Sequence, residues 1–174
     1  LQAISSSRIR VAWRDNSAKE GGYEVFRNGV LIDTTDANAT ELPSPDSGLS
    51  SDTTYSYQVR AIKDFGGSVG KIYSEFSEVK SATTYFVVNV SVSGSGTGTV
   101  SPCSSGTCEY PNGTTVNITA TPSGGSTFDG WSGGCSGTGA CAATGNTSVT
   151  ASFSSGEVTL NVQVGSASGD PDIF

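Results

Sequence analysis

A chain of 174 residues with 34% hydrophobic content, 23 glycines and a formal net charge of −7 can bury small cores but not one large one. It has no histidine, which removes the usual general base of Ser, Thr and Cys nucleophile systems and most transition-metal ligation. All nine Lys and Arg lie at or before Lys80 and all four Cys at or after Cys103, so composition divides the chain near Thr84 into two unlike halves.

Residues 1–84 carry eleven acidic side chains against the nine basic ones, while residues 85–174 carry only Glu109, Asp129, Glu157, Asp170 and Asp172. With no cation in the second half, nucleic acid and anionic membrane surfaces are poor partners. No stretch approaches the roughly 20 apolar residues of a membrane-spanning helix, so no membrane insertion is expected. The start, Leu1-Gln2-Ala3-Ile4, has neither a basic leader nor an initiator Met, and reads as a processed product or a fragment.

Helical spacing is missing and period-two alternation recurs, so the expected class is all-β. Ile9, Val11 and Trp13 alternate with polar neighbours in the first strand pattern. Tyr23 and Val25, then Val30 and Ile32, flank Asn28-Gly29, a pair that tolerates positive φ and predicts a tight hairpin. Tyr55, Tyr57, Val59 and Ala61 form the next half-buried run, and Phe76 to Val79 is expected to close the first module. About seven short strands in 84 residues predict a β-sandwich.

Three runs then carry a resemblance: Trp13-Arg14-Asp15-Asn16-Ser17, Glu20 to Gly29, and Leu49 to Ala61. Residues 1–84 resemble a bacterial fibronectin type III domain. That resemblance implies that Trp13 is the core residue of the second strand and that Tyr55 is the tyrosine-corner residue, its hydroxyl reaching back to backbone near Leu49; Tyr23 reads as core as well. Ser51 stands where the family often has Pro, and the usual Pro-rich lead-in is absent.

The second half opens with the strand pattern Phe86 to Val92, followed by Gly94, Gly96 and Gly98, which mark a bend. Gly113 to Pro122, the run Gly125 to Cys135 around Phe128 and Trp131, and Ser148 to Phe153 follow. Cys103 and Cys108, then Cys135 and Cys141, make an even set in a Gly/Ser/Thr-rich region, which suits an oxidising compartment. Three connectivities are open. Pairing 103 with 108 and 135 with 141 is favoured because each pair brackets a Gly-containing turn; a tetrathiolate zinc site competes poorly, lacking both the usual spacing and any His.

Residues 86–154 resemble the small repeat of secreted bacterial proteins related to the internalin B-repeat. The resemblance implies a compact β-grasp-like module, found in tandem on cell surfaces. Residues 155–174 begin with Val158, Leu160, Val162 and Val164 on one side of an alternating strand, read as the start of a further module or a donor strand.

Catalytic motifs are lacking: no phosphate-binding loop, dinucleotide fingerprint or haem attachment is present. Paired carboxylates for glycoside hydrolysis need a cleft that small sandwiches rarely form. Asp33, Asp36, Asp46 and Asp52 read as solvated turn residues, with a loop calcium site as the rival. Phe128 and Trp131 read as core rather than a sugar-stacking platform. No cofactor, catalytic residue or metal ligand is assigned.

The expectation is a non-catalytic extracellular or cell-surface bacterial protein that spaces, adheres or assembles. In its sharper form the 158–164 strand adds to a neighbouring copy as a fibre subunit. The alternatives are an accessory or linker region of a secreted polysaccharide hydrolase or protease, and a glycan-binding module. Self-association, neighbouring domains, a glycan or a surface protein are the partners these readings allow.

Overall fold

The computed structural model describes residues 1–156, all of them strand, turn or irregular backbone. The expected strand at Val158, Leu160, Val162 and Val164 lies outside the described residues. Each half of the chain builds its own apolar core.

In the first half, β1 (Gln2–Ser5), β2 (Arg8–Arg10) and β5 (Asp46–Ser47) form one sheet in the order β1-β2-β5. The opposing sheet holds β4 (Val30–Asp36), β3 (Gly22–Arg27) and β6 (Thr54–Asp64). Along the free side of β6 run β7 (Lys71–Tyr73) and then β8 (Lys80–Thr83). Alternation sends Ile9, Val11, Val25 and Tyr57 inward, with Leu42 and Leu49 closing the ends of this core. The predicted hairpin is present: Asn28 and Gly29 hold φ of 50° and 79°, and Arg27 pairs with Val30.

Three expectations need correcting in this half. Trp13 is half-buried rather than central, packed against the core and Tyr23 beyond the end of β2, where Val11 to Trp13 pair with the irregular segment 40–42. Val30 is exposed, since it directly follows the Asn28-Gly29 turn at the tip of the hairpin, paired with Arg27 at the end of the sheet. Phe76 to Val79 is not a strand; it belongs to an irregular segment, described below, between β7 and β8.

The second half pairs β9 (Phe86–Ser93) with β11 (Gly106–Tyr110), β15 (Thr147–Ser154) and β13 (Thr127–Gly133) in the order β11-β9-β15-β13. Its central pair, β9 and β15, is parallel. A second sheet, β10 (Thr97–Ser101), β12 (Val116–Ser123) and β14 (Cys141–Ala143), supplies Val100, Val116, Ile118 and Ala143 to the same core. The parallel pairing of first and last strands suits a grasp-like sheet. Its apolar face is covered by strands, with no helix among the described residues.

The glycine bend and the aromatic near the end of β15 explain each other. Phe153 is fully buried against the bend, and Gly96 N–H donates to the Phe153 carbonyl at 2.9 Å. A Cβ on Gly94 would lie 1.9 Å from that carbonyl oxygen, and one on Gly98 2.2 Å from the Phe153 ring. Glycine is therefore required for close approach here, beyond any turn preference.

Disulfides join Cys103 to Cys108 and Cys135 to Cys141. Cys103 and Cys141 sit inside the core, so each bridge ties a surface loop to it. Loops this short contribute about 2 kcal/mol each on the chain-entropy account.

Two outcomes follow in urea denaturation followed by Trp fluorescence. Gly98→Ala lowers stability by about 1–3 kcal/mol through overpacking against Phe153. Reduction with dithiothreitol lowers the midpoint of the Trp131 transition while leaving that of Trp13, resolved in a Trp131→Phe background, in place.

Candidate functional site

On the outward face of the first module, the register of β3 against β6 sets Glu24 directly opposite Arg60. Glu24 is buried by the strands around it, and a carboxylate withdrawn from water requires a cationic partner. Arg60 provides it, with Nη2 2.7 Å and Nε 2.9 Å from Glu24 Oε2. The guanidinium in turn is ringed by aromatics, its Cζ lying 3.9 Å from the Tyr73 ring centre, 5.0 Å from Phe76 and 5.2 Å from Phe26.

Phe76 reaches this cluster because the segment after β7 bulges. Ser74 N–H donates to Ala61 O at 3.0 Å and Ser77 N–H to Val59 O at 2.8 Å, so three steps along one chain match two along β6. Each serine hydroxyl replaces a missing carbonyl: Ser74 Oγ accepts from Ala61 N–H at 2.9 Å and Ser77 Oγ from Val59 N–H at 3.0 Å. The strand expected at Phe76 to Val79 is thereby traded for a bulge that re-aims Glu75 and Phe76. Phe76 meets Phe26 edge to face, 5.0 Å between centres.

Two open grooves flank the cluster. One, of about 290 Å³, is lined by Trp13, Arg14, Tyr23, Arg60, Glu75 and Phe76. The other, of about 390 Å³, is lined by Phe65, Ile72 and Tyr73 among others, and the two share Ser74. Tyr73 and Phe76 are 46% and 44% exposed, large values for rings held by so many neighbours.

Beneath this face, two buried tyrosines donate to carboxylates: Tyr23 to Asp15, and Tyr57 to Asp46 Oδ2 at 2.8 Å. Burial first, then these hydrogen bonds, push both phenols well above the ordinary tyrosine range. Asp46 is thus no solvated turn residue; it also accepts from Arg27 Nη1 at 2.8 Å.

The other residues singled out from sequence are dispersed. Tyr55 is half-buried, and its hydroxyl accepts from Ser50 N–H at 2.9 Å, one residue from Leu49. Trp131 is 5% exposed and donates from Nε1 to Gly139 O at 2.8 Å, while Phe128 packs between Trp131 and Phe153, so this pair offers no stacking surface to a sugar. No group of three or more His, Cys, Asp or Glu stands together as a metal site among the described residues.

Asp52 and its neighbours belong to the junction between the modules. Only Thr84 and Tyr85 separate β8 from β9, and Thr84 is fully buried, its hydroxyl donating to Ser50 O at 2.7 Å. Across the junction, Ser6 donates from N and Oγ to the Glu109 carboxylate at 2.9 and 2.7 Å. Asn112 Nδ2 donates to Asp52 Oδ1 at 2.5 Å and Asn146 Nδ2 to Ser51 Oγ at 2.9 Å.

The Glu24, Arg60, Tyr73 and Phe76 cluster escaped sequence reasoning. Tyr73 and Phe76 are three apart, which matches neither strand alternation nor any motif, and Arg60 occupies an ordinary polar position of its strand. An Arg opposite a Glu in paired strands was the available signal, visible only once the register is known.

Fold and site define an all-β chain with two apolar cores and an aromatic surface. Residues 88–157 match the family described as a divergent InlB B-repeat domain. The chain is 36% identical over 88 residues to an alpha-amylase of Niallia circulans, which covers 48% of the chain and 6% of the enzyme. It is 31% identical over 77 residues to the chitinase Chi52 of Paenibacillus xylanexedens, covering 43% of the chain and 14% of the enzyme. The chain therefore spans only a small part of each relative. No solved structure matches.

The tyrosine pair generates a pH prediction. Because the folded phenols are raised above the unfolded value of about 10, their contribution to stability is whole below about pH 10 and is lost as pH rises above it. Chemical denaturation across alkaline pH should show this decline, and Tyr57→Phe should flatten it.

Proposed function

We propose that this chain is a non-catalytic accessory segment of a secreted bacterial polysaccharide-acting enzyme, pairing a fibronectin type III module with a B-repeat module. The observation that carries this reading is that both relatives bear names of polysaccharide-acting enzymes while sharing only a small part of their length with this chain. The two-sheet arrangement of residues 1–84 and the Ser50 to Tyr55 corner support the fibronectin type III assignment. The two bridges support an extracellular setting.

The junction suits a spacer. A two-residue connection with a buried threonine, braced by cross-module hydrogen bonds, limits how far the modules swing against each other. The fibre reading rests on residues 158–164 and has no support among the described ones.

Incubated with starch and with chitin, the isolated chain should release no reducing ends, and its small-angle scattering should fit one fixed arrangement of two modules. Asp52→Ala combined with Asn146→Ala should broaden that distribution. Concentration-dependent sugar release, or independently tumbling modules in the unaltered chain, would sink the proposal.

A further inference from the structure

We infer that the outward face of the first module, centred on Tyr73 and Phe76, binds a neutral polysaccharide chain. This inference rests on the accessory reading above and gives it a ligand and an address.

Ring exposure is the first argument. Tyr73 and Phe76 stand nearly half exposed beside Arg60, and the groove that Tyr73 borders also carries Phe65 and Ile72, which are 60% and 51% exposed, Ile72 from the opposite side of β7. Contiguous exposed aromatic surface marks an interaction site rather than a folding requirement. The rings are also held in place: Arg60 packs at 3.9 Å on Tyr73 and at 5.0 Å on Phe76, and Arg60 is itself anchored to buried Glu24. A ligand arriving on pre-ordered rings loses less side-chain freedom on binding.

Charge selects the ligand class. The Arg60 cation is matched by Glu24, one groove carries Arg14 and Glu75, and the other carries Lys19 and Lys63 with Glu20, so the two signs are nearly balanced and no single-sign patch forms to recruit a polyanion or a polycation. Aromatic faces favour the C–H faces of pyranose rings, while Arg14, Asn16 and Glu75 offer donors and acceptors to hydroxyl groups. Shape selects a polymer. The two grooves meet along Ser17, Ala61 and Ser74, one bordered by Phe76 and the other by Tyr73, which fits an extended chain better than a compact molecule.

The test is depletion of the full chain from solution by insoluble chitin, granular starch and microcrystalline cellulose, at low and high NaCl. At least one polysaccharide should retain the protein, equally at both salt levels because no ion pair is involved. Tyr73→Ala and Phe76→Ala should each weaken retention by about tenfold or more, with thermal midpoints and near-ultraviolet dichroism confirming the fold. Arg60 is left in place, since its removal strands a buried carboxylate; Tyr73→Phe, which keeps the ring, should preserve binding.

Retention by none of the three, retention that salt abolishes, or variants that bind like the parent would each overturn the inference. The first outcome would return the face to the class of protein-contact surfaces. Absence of turnover together with a fixed two-module shape would leave the accessory reading standing in any of these cases.

Discussion

A single carboxylate organises the exterior of the first module. Glu24 points from a central strand into surroundings that exclude water, and in that position a negative charge persists only with a cation against it. Arg60 lies opposite across the strand pair and meets the need, but its flat guanidinium has two faces to cover. Tyr73, Phe76 and Phe26 cover them. The aromatic surface follows from satisfying one buried charge, and the bulge after β7 brings the last ring into position.

The second module solves a different problem with different chemistry. It is short, has no cation and few charges of any kind, so it depends on close packing and on covalent closure. Glycines at the bend let Phe153 approach to contact distance, Phe128 and Trp131 extend that aromatic core, and two bridges fasten the loops that the sheets leave free. Its two described carboxylates, Glu109 and Asp129, accept from serines near the surface, whereas the first module holds buried Tyr23 and Tyr57 against carboxylates.

Joined, the two modules make a short braced unit rather than beads on a flexible tether. Thr84 is buried where a linker would ordinarily be solvated, and the contacts on either side of it come from hydroxyls, amides and carboxylates. A polar junction of this kind orients its modules at little hydrophobic cost. The aromatic face then has a fixed relation to the second module.

Much of the architecture was legible in the residues themselves. Alternation reported the all-β class, Asn28-Gly29 reported the hairpin, and the short cysteine intervals reported the bridges, because each is a local rule acting over a few residues. Register, bulges and burial were not legible, since they depend on which strands become neighbours. Trp13 follows the inward pattern yet is only partly covered, its backbone paired with the irregular segment 40–42 rather than with a strand, and Phe76 follows a strand pattern yet sits on a bulge held by Ser74 and Ser77. Local chemistry determined the elements and the staples; tertiary pairing alone decided that Glu24 faces Arg60 and which rings gather around them, because cross-strand neighbours lie 36 residues apart in the chain.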